Sequence, residues 1–393
     1  MTYLVYLNHY DIRQCKAQYL SVLYEVLSRN LDSYFLLNKD YLDTYTKEDR
    51  WEVKWAENHF GAFNVLWSKL KPENYKVMQK PEDWASSIKK CWDSSTPAKP
   101  SKLLYDTAYG YHEEEVQAIV EVLKKKKIRA GITWVNNRTL KETLEKFNIP
   151  TIHHELGPFR PVSYIPTAYL DFSGVNGSTE FNLRFNEFLK IADQVPILSR
   201  EELIRVISPN YYTKLTDILH NTNRTHEIGV GLQVEVDTNL LLFNKGCSWV
   251  DPLLQAQADC NGTVLVRPHP AAGYLLKPSA RLQIDDITKG SAVDFINKCN
   301  KVYCLNSSIG FEAILLGREA KIFGDSPFTD VCNMDPNTQL KALNFAIFGY
   351  LIHRDLLFNE DYYEFRLKNR GKEKAIYLDN MKRLFNNVKG IKF

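Results

Sequence analysis

Short apolar segments alternate with longer segments whose apolar residues recur at helical spacing along almost the whole chain. In the first half, strands are predicted at residues 4–7, 34–37, 103–105, 131–135 and 150–154. Helices are predicted between them at residues 13–29, 47–69, 113–127 and 139–147, where apolar positions follow the i, i+3, i+4, i+7 spacing. This alternation is typical of an α/β fold with a mainly parallel sheet.

A polar, helical region over residues 180–225 separates this alternation from a second one. The second has predicted strands at 228–236, 263–267, 301–305 and 320–323, and predicted helices at 249–260, 292–299 and 308–316. It resembles half of a doubly wound sheet. We therefore predict two domains, residues 1–220 and 221–393. Predicted helices at 340–351, 360–368 and 373–388 are expected to pack back across both.

Composition and charge exclude several classes of protein. The 50 Lys and Arg residues against 47 Asp and Glu give a net charge of +3, far from the basic surplus of a protein whose main partner is nucleic acid. The seven cysteines include no C-x-x-C pair, so neither a disulfide framework nor a zinc site is indicated. No apolar run approaches the roughly 18 residues of a spanning helix, and no signal peptide is evident.

These features favour a cytoplasmic protein. Attachment to the cytoplasmic face of the inner membrane through other modules stays open, as do the oligomeric state and whether the chain is one module of a longer transferase. Aromatic residues make up 12% of the chain, which suits contacts to sugar or base rings as well as core packing. Tyr109, Gly110, Tyr111 and His112 are candidates for such sugar contacts.

Four unusual segments follow predicted strands, where open parallel sheets bind ligands. They are HHELGPFRP at residues 153–161, QVEVDTN at 233–239, RPHP at 267–270 and NSSIGFE at 306–312. Ser307 and Ser308 open a predicted helix, whose amides form an anion site; serines that only cap a helix are the alternative. His269, held between two prolines after Arg267, can donate to a phosphate or protonate a leaving group, unless it is purely structural.

Two carboxylates in these segments come from different predicted domains. Glu155 and Asp237 form the minimal set for glycosyl transfer, one as nucleophile and the other as acid or base, although either can instead cap a helix or join an ion pair. Glu235 and Asp237 also mimic a D-x-D metal motif, but no third ligand type is evident nearby. The sequence therefore predicts no metal.

Taken together and in this order, the four segments resemble the retaining β-Kdo transferases of bacterial O-antigen and capsule assembly, glycosyltransferase family 99. The resemblance implies a GT-B-like pair of Rossmann-like domains, CMP-β-Kdo as donor, retention of configuration, and no cofactor or metal. On this template Asp237 resembles the nucleophile that forms a covalent Kdo adduct, with Glu235 as its rival. Glu155 resembles the acid/base partner, and His269, Ser307 and Ser308 resemble the phosphate ligands of CMP.

Further donor-binding candidates share these segments: Gln233, Arg267, Asn306, Gly310 and Glu312. Kdo carries a carboxylate beside its reacting carbon, and Arg160, Arg267 and Lys289 are candidates for binding it from their positions alone. The expected partners are a CMP-sugar donor and an oligosaccharide or polysaccharide acceptor. Two alternatives stay open: an inverting transferase of sialic or another nonulosonic acid from a CMP-sugar, and a non-catalytic glycan-binding module.

Overall fold

The computed structural model describes residues 2–7, 20–39, 41–42, 69–78, 110–234, 238–269 and 277–386. Contacts group the chain into two compact units. The first comprises Met1–Glu155, Leu170–Val175 and Asp355–Glu364, and the second comprises Leu156–Tyr169, Asn176–Arg354 and Phe365–Phe393. The domain change predicted near residue 220 falls inside the second unit, and the C-terminal helices contribute residues to both units.

The first unit is built on five parallel strands in the order β3-β2-β1-β4-β5. The strands are β1 (Thr2–Tyr6), β2 (Ser33–Asn38), β3 (Tyr75–Met78), β4 (Ile128–Thr133) and β5 (Thr151–Leu156, whose last residue falls in the second unit). The helices are α1 (Leu20–Arg29), α2 (Glu113–Lys125) and α3 (Arg138–Glu145). This 3-2-1-4-5 order is that of the first five strands of a doubly wound Rossmann sheet.

Local sequence explains why these elements form. Strand β1 is buried on both faces apart from its first residue, as expected of a central parallel strand. Helix α2 begins with three glutamates and ends with lysines, so its charges complement the helix dipole as predicted. Helix α3 packs closely on β4, because a Cβ added to Gly131 would lie 2.3 Å from Leu144 Cδ1.

The second unit contains a second parallel sheet in the order β9-β8-β7-β10-β11. Its strands are β7 (His226–Gly231), β8 (Val264–Arg267), β9 (Leu282–Ile284), β10 (Cys299–Cys304) and β11 (Glu319–Ile322). Numbered within the unit, this is again the order 3-2-1-4-5. The remaining strands, β6 (Thr167–Asp171) and β12 (Leu351–His353), pair antiparallel, from Leu351 opposite Tyr169 to His353 opposite Thr167.

The remaining helices precede, connect and follow the strands of the second sheet along the chain. They are α4 (Phe181–Leu189), α5 (Arg200–Ile207), α6 (Tyr212–His220), α7 (Thr238–Leu242), α8 (Asp251–Asp259), α9 (Ala292–Asn297), α10 (Ser308–Leu315), α11 (Pro336–Asn344), α12 (Glu360–Lys368) and α13 (Glu373–Asn386). Much of the aromatic content is core: Phe181, Phe188, Phe345, Tyr350 and Tyr377 are each at most 2% exposed and pack ring to ring. The α/β fold class and the two Rossmann-like sheets are confirmed.

Some predicted boundaries were wrong. The strand predicted at 228–236 ends at Gly231, because the chain then turns and Gln233 bonds to a neighbouring loop. The helix predicted at 340–351 ends at Asn344, continues as a π-helical segment over Phe345–Tyr350, and gives way to β12, which pairs with β6. The predicted strand 103–105 and most of the predicted helix 47–69 lie outside the described residues.

Candidate active site

The loops that leave β7 and β10 are joined at the point where the strand order of the second sheet reverses. Gln233 Nε2 donates to Asn306 Oδ1 (2.7 Å), and the Asn306 backbone N–H donates back to Gln233 Oε1 (3.0 Å). Asn306 Nδ2 also donates to the carbonyl of Asn239 (2.9 Å), which lies in α7. Asn306 is only 3% exposed. Its bonds to Gln233 and Asn239 hold the residues on both sides of the segment 235–237. A topological switch point is where doubly wound sheets bind ligands.

Asp237 and its rival Glu235 lie outside the described residues, as does Val236. The chain is described up to Val234 on one side and again from Thr238 on the other. The nucleophile therefore stays a prediction.

Helix α10 begins at the carboxyl end of β10, as the sequence predicts. Ser307 is its N-cap and accepts a hydrogen bond from the Ile309 N–H (3.4 Å). Gly310 allows the close approach of this helix to the sheet, since an added Cβ would lie 2.9 Å from Ile322 Cγ1 and 3.0 Å from Cys304 Sγ. The first amides of α10, at Ser308 and beyond, therefore face the carboxyl edge of the sheet, where an anion can bind.

Glu312 lies one turn into α10 and is only 7% exposed. Burial raises the pKa of its carboxyl group from 4.5 to about 7, and this rise is partly offset by the nearby Arg160 guanidinium, by Ser308 and Tyr164, and by Arg267. Ser308 Oγ lies 3.5 Å from Glu312 Oε1. Near neutral pH this carboxyl group is thus divided between its protonated and ionised forms.

The turn that carries Arg160 packs against the same helix. Thr167 closes this turn, because its Oγ1 donates to the Phe159 carbonyl (2.8 Å) and its own carbonyl accepts from the Gly157 N–H (2.9 Å). The Phe159 and Phe311 rings are 5.8 Å apart, which seats the turn on α10. The Arg160 Nε donates to the Gly157 carbonyl (3.3 Å), and the residue is exposed. Arg160, from the segment at residues 153–161, therefore lies near Glu312, from the segment at residues 306–312.

Arg267 is held by the fold. Its Nη1 donates to Asp285 Oδ2 (2.6 Å) and its Nη2 to the Gly290 carbonyl (2.9 Å), and its side chain is 11% exposed. Asp285 also accepts from Lys298 Nζ (2.7 Å). Lys289, beside Gly290, is 83% exposed and pairs with Asp286 (3.1 Å). His269 is half-buried two residues past the end of β8.

Glu155 belongs to the first unit, where it is half-buried near the end of β5. The two histidines before it are structural. His154 Nδ1 donates to the Thr133 carbonyl (3.2 Å) and its Nε2 accepts from the Tyr363 hydroxyl (2.7 Å). His153 Nδ1 donates to a backbone carbonyl. Burial lowers the pKa of His153 to about 3 and that of His154 to about 4, so both are neutral.

The segment Tyr109–His112 is described from Gly110 onward. Lys146 Nζ donates to the Tyr111 hydroxyl (2.7 Å), and the His112 N–H donates to Thr139 Oγ1 (3.1 Å). These bonds attach the segment to α3, and its contact with a sugar stays a prediction.

In the described part of the chain, no group of three or more His, Cys, Asp or Glu side chains is placed to hold a metal ion. Nor does any described helix have the length and apolarity needed to cross a membrane.

Two residues of the site were missed by the sequence analysis. Tyr164, whose phenol lies beside Glu312, follows Arg160 by one turn, and its N–H donates to the Arg160 carbonyl (3.1 Å). Asp285, which holds Arg267, follows the short strand β9, and that strand was itself not predicted. The available signal for Asp285 was an acidic pair directly after the alternating apolar and polar triplet Leu282–Ile284.

Known families match most of this architecture. Residues 5–180 match the glycosyltransferase 99 family N-terminal domain, and this range includes Glu155, Arg160 and Tyr164. Residues 214–331 match a capsule polysaccharide biosynthesis protein, and this range includes the Gln233–Asn306 bond and Glu312. Two doubly wound sheets, one of them with a helix that begins at its switch point, form a GT-B-like architecture. The chain is thus similar to the glycosyltransferase 99 family in its first part and to a capsule polysaccharide biosynthesis protein in its second part.

Solved structures show more distant likeness. A β-Kdo 2,7-transferase, KpsC of Thermosulfurimonas dismutans, is 19% identical over 60% of this chain and 82% of its own, with a TM-score of 0.40. The β-Kdo 2,4-transferase of the same organism's KpsC is 17% identical over 62% and 90%, with a TM-score of 0.39. A UDP-GlcNAc 2-epimerase of Methanocaldococcus jannaschii is 10% identical over 88% and 92%, with a TM-score of 0.31. No curated protein matches the sequence.

Replacing Glu312 by glutamine should stabilise the protein in a pH-dependent way. Because the folded-state pKa of about 7 lies above the ordinary 4.5, the folded protein holds this proton more tightly than the unfolded chain does. The contribution of Glu312 to stability is therefore greatest at low pH and is lost as the pH rises to 7. We expect Glu312→Gln to raise the free energy of unfolding by on the order of 3 kcal/mol at pH 8 and by much less at pH 4.5.

Urea unfolding at these two pH values measures the difference. Glu187→Gln is the matched control, since this carboxylate is 49% exposed in a surface pair with Lys190 and should change little at either pH. An equal gain for Glu312→Gln at both pH values would contradict the ionisation argument and assign the effect to packing.

Proposed function

We propose that the protein transfers Kdo from CMP-β-Kdo to the non-reducing end of a bacterial surface glycan, with retention of configuration. The observation that carries this proposal is the meeting of two predicted donor segments at one switch point. The Gln233–Asn306 bond brackets the segment of Asp237, and the start of α10 lies directly after Asn306. The choice of Kdo as the sugar rests on the glycosyltransferase 99 match and on the motif resemblance.

The donor phosphate is proposed to bind at the start of α10. Ser307, Ser308 and the following amides offer hydrogen-bond donors at a positive helix end, and His269 at the end of β8 adds another. A CMP leaving group has a single phosphate, which these groups can stabilise, so no metal or other cofactor enters the proposed reaction. Arg160 is the first choice for the Kdo carboxylate, because Arg267 is already paired with Asp285. Lys289 is the second choice.

The proposed reaction is a double displacement. The Asp237 carboxylate attacks the anomeric carbon of Kdo, the bond from that carbon to the CMP phosphate oxygen breaks, and CMP leaves with the electron pair. An acceptor hydroxyl then gives its proton to Glu155 and attacks the same carbon, which releases the Asp237 carboxylate. Two inversions give net retention. The first unit is proposed to bind the acceptor, in the cytoplasm or at the cytoplasmic face of the inner membrane.

Intact-protein mass spectrometry tests this proposal without an acceptor. After incubation with freshly generated CMP-Kdo, we expect the protein to gain the mass of one Kdo residue, and peptide mapping should locate it on Asp237. An adduct on Glu235 would keep the mechanism and correct the residue. CMP release only after a glycan is added, with inverted product and no adduct, would favour the inverting transferase. If the donor is not consumed under any condition, the protein binds glycans without turnover or uses another sugar nucleotide.

A further inference from the structure

Arg160 carries an exposed guanidinium group on the turn after β5. Its Nε is anchored to the Gly157 carbonyl, which holds the side chain in place at the surface of the second unit. Within the described ranges, no carboxylate forms an ion pair with it, whereas Arg267 is paired with Asp285, which is also bonded to Lys298. Arg267 thus has a buried carboxylate as its counter-charge, whereas Arg160 does not.

Glu312 is the carboxyl group that faces Arg160 from the helix. The groups around it come from three elements: Arg160 and Tyr164 from the turn after β5, Arg267 from the end of β8, and Ser308 from α10 itself. The Tyr164 phenol stays neutral, because its burial beside Glu312 raises its pKa well above 10. Near neutral pH, Glu312 is therefore the group in this cluster whose charge changes.

We propose that Glu312 sets the charge of the donor pocket, meaning the region around Ser308, Glu312 and Arg160, so that an anionic CMP-type donor binds together with a proton. When Glu312 is ionised, its charge offsets that of Arg160 and repels the phosphate and carboxylate of the donor. When Glu312 is protonated, Arg160 confers a net positive charge on the pocket. The donor anion then balances the charge of Arg160 in place of the Glu312 carboxylate. This inference rests on the proposed function and adds a proton to its donor-binding step.

The coupling has a defined sign and size. Because the anionic donor favours the protonated carboxyl group, binding raises the pKa of Glu312. At pH values above the pKa that Glu312 has in the unbound protein, the dissociation constant of the donor therefore increases with pH. The increase approaches tenfold per pH unit, as for any binding step that takes up one proton. In Glu312→Gln the side chain is permanently neutral and nearly the same size, so this pH dependence should disappear.

The experiment measures the dissociation constant of CMP for the wild type and for Glu312→Gln by calorimetry between pH 6 and pH 8.5. Comparing the two proteins at each pH cancels the titration of the CMP phosphate itself. We expect equal affinities at pH 6 and about tenfold tighter binding by the variant at pH 8. Equality at pH 6 also shows that the variant is folded. Glu187→Gln, on an exposed site of α4, should follow the wild type throughout.

Two results would overturn the inference while leaving the proposed donor intact. A constant ratio of the two dissociation constants across the pH range would remove Glu312 as the proton-linked group. Weaker binding by the variant at every pH would mean that the ionised carboxylate contacts the nucleotide directly. If the wild type fails to bind CMP at pH 6, the donor proposed above is wrong and the inference falls with it.

Discussion

Asp237→Asn is expected to abolish transfer of Kdo while leaving the affinity for CMP within about twofold of the wild type. The carboxylate proposed to form the adduct is replaced by an amide of almost the same volume, which is a poor nucleophile. Loss of the group that makes a covalent intermediate lowers kcat by about a thousandfold or more. The CMP phosphate is proposed to bind at the start of α10 and to His269, so its binding should not depend on Asp237. Initial rates with a glycan acceptor and calorimetry with CMP measure the two quantities.

Glu235→Gln is the matched control, because it makes the same chemical change two residues earlier in the chain. We expect this variant to keep most of its transfer activity. The reverse result, full activity in Asp237→Asn and none in Glu235→Gln, would exchange the two residues in the mechanism. Loss of CMP binding in Asp237→Asn would instead show that this residue holds the neighbouring Gln233 and Asn239 in place.

The sequence predicted the fold because its signals are local. Strands such as β4 and β10 are short apolar runs, and α2 and α10 have helical spacing with charges or serines at their ends. The strands that were missed, β3, β6, β9 and β12, are each three to five residues long. Their conformation depends on pairing with a partner distant in sequence, which composition does not reveal.

The residue types of the site could be predicted from the sequence, but the contacts between those residues could not. Arg160 and Glu312 are 152 positions apart, and the ring contact between Phe159 and Phe311 that brings their segments together is visible only in the fold. Burial converts Glu312 from an ordinary donor-binding candidate into a group that titrates near neutral pH. Conversely, Arg267 has the right type and position, yet its pairing with Asp285 leaves it less available for substrate than Arg160.

Arg184→Met should destabilise the second unit by about 3–5 kcal/mol. Arg184 lies in α4 and Glu373 begins α13, and their side chains are only 8% and 3% exposed. The Arg184 Nε donates to both carboxylate oxygens (3.1 and 3.2 Å), while its Nη2 donates to Glu373 Oε2 (2.8 Å) and to the Gly349 carbonyl (2.6 Å). Methionine fills much of the same volume but leaves the Glu373 carboxylate buried without its cation. Urea unfolding followed by circular dichroism measures the loss.

Lys190→Met provides the control at the end of the same helix. Lys190 pairs with Glu187 (2.6 Å), but the two side chains are 67% and 49% exposed, so water replaces the interaction and the change should stay within about 0.5 kcal/mol. The double variant Arg184→Met with Glu373→Leu separates the two components of the effect. If the loss in the single variant comes from an unpaired buried charge, removing that charge should restore most of the stability. A double variant as unstable as Arg184→Met would contradict this and assign the loss to the Gly349 bond and to ring contacts with Phe345 and Tyr350.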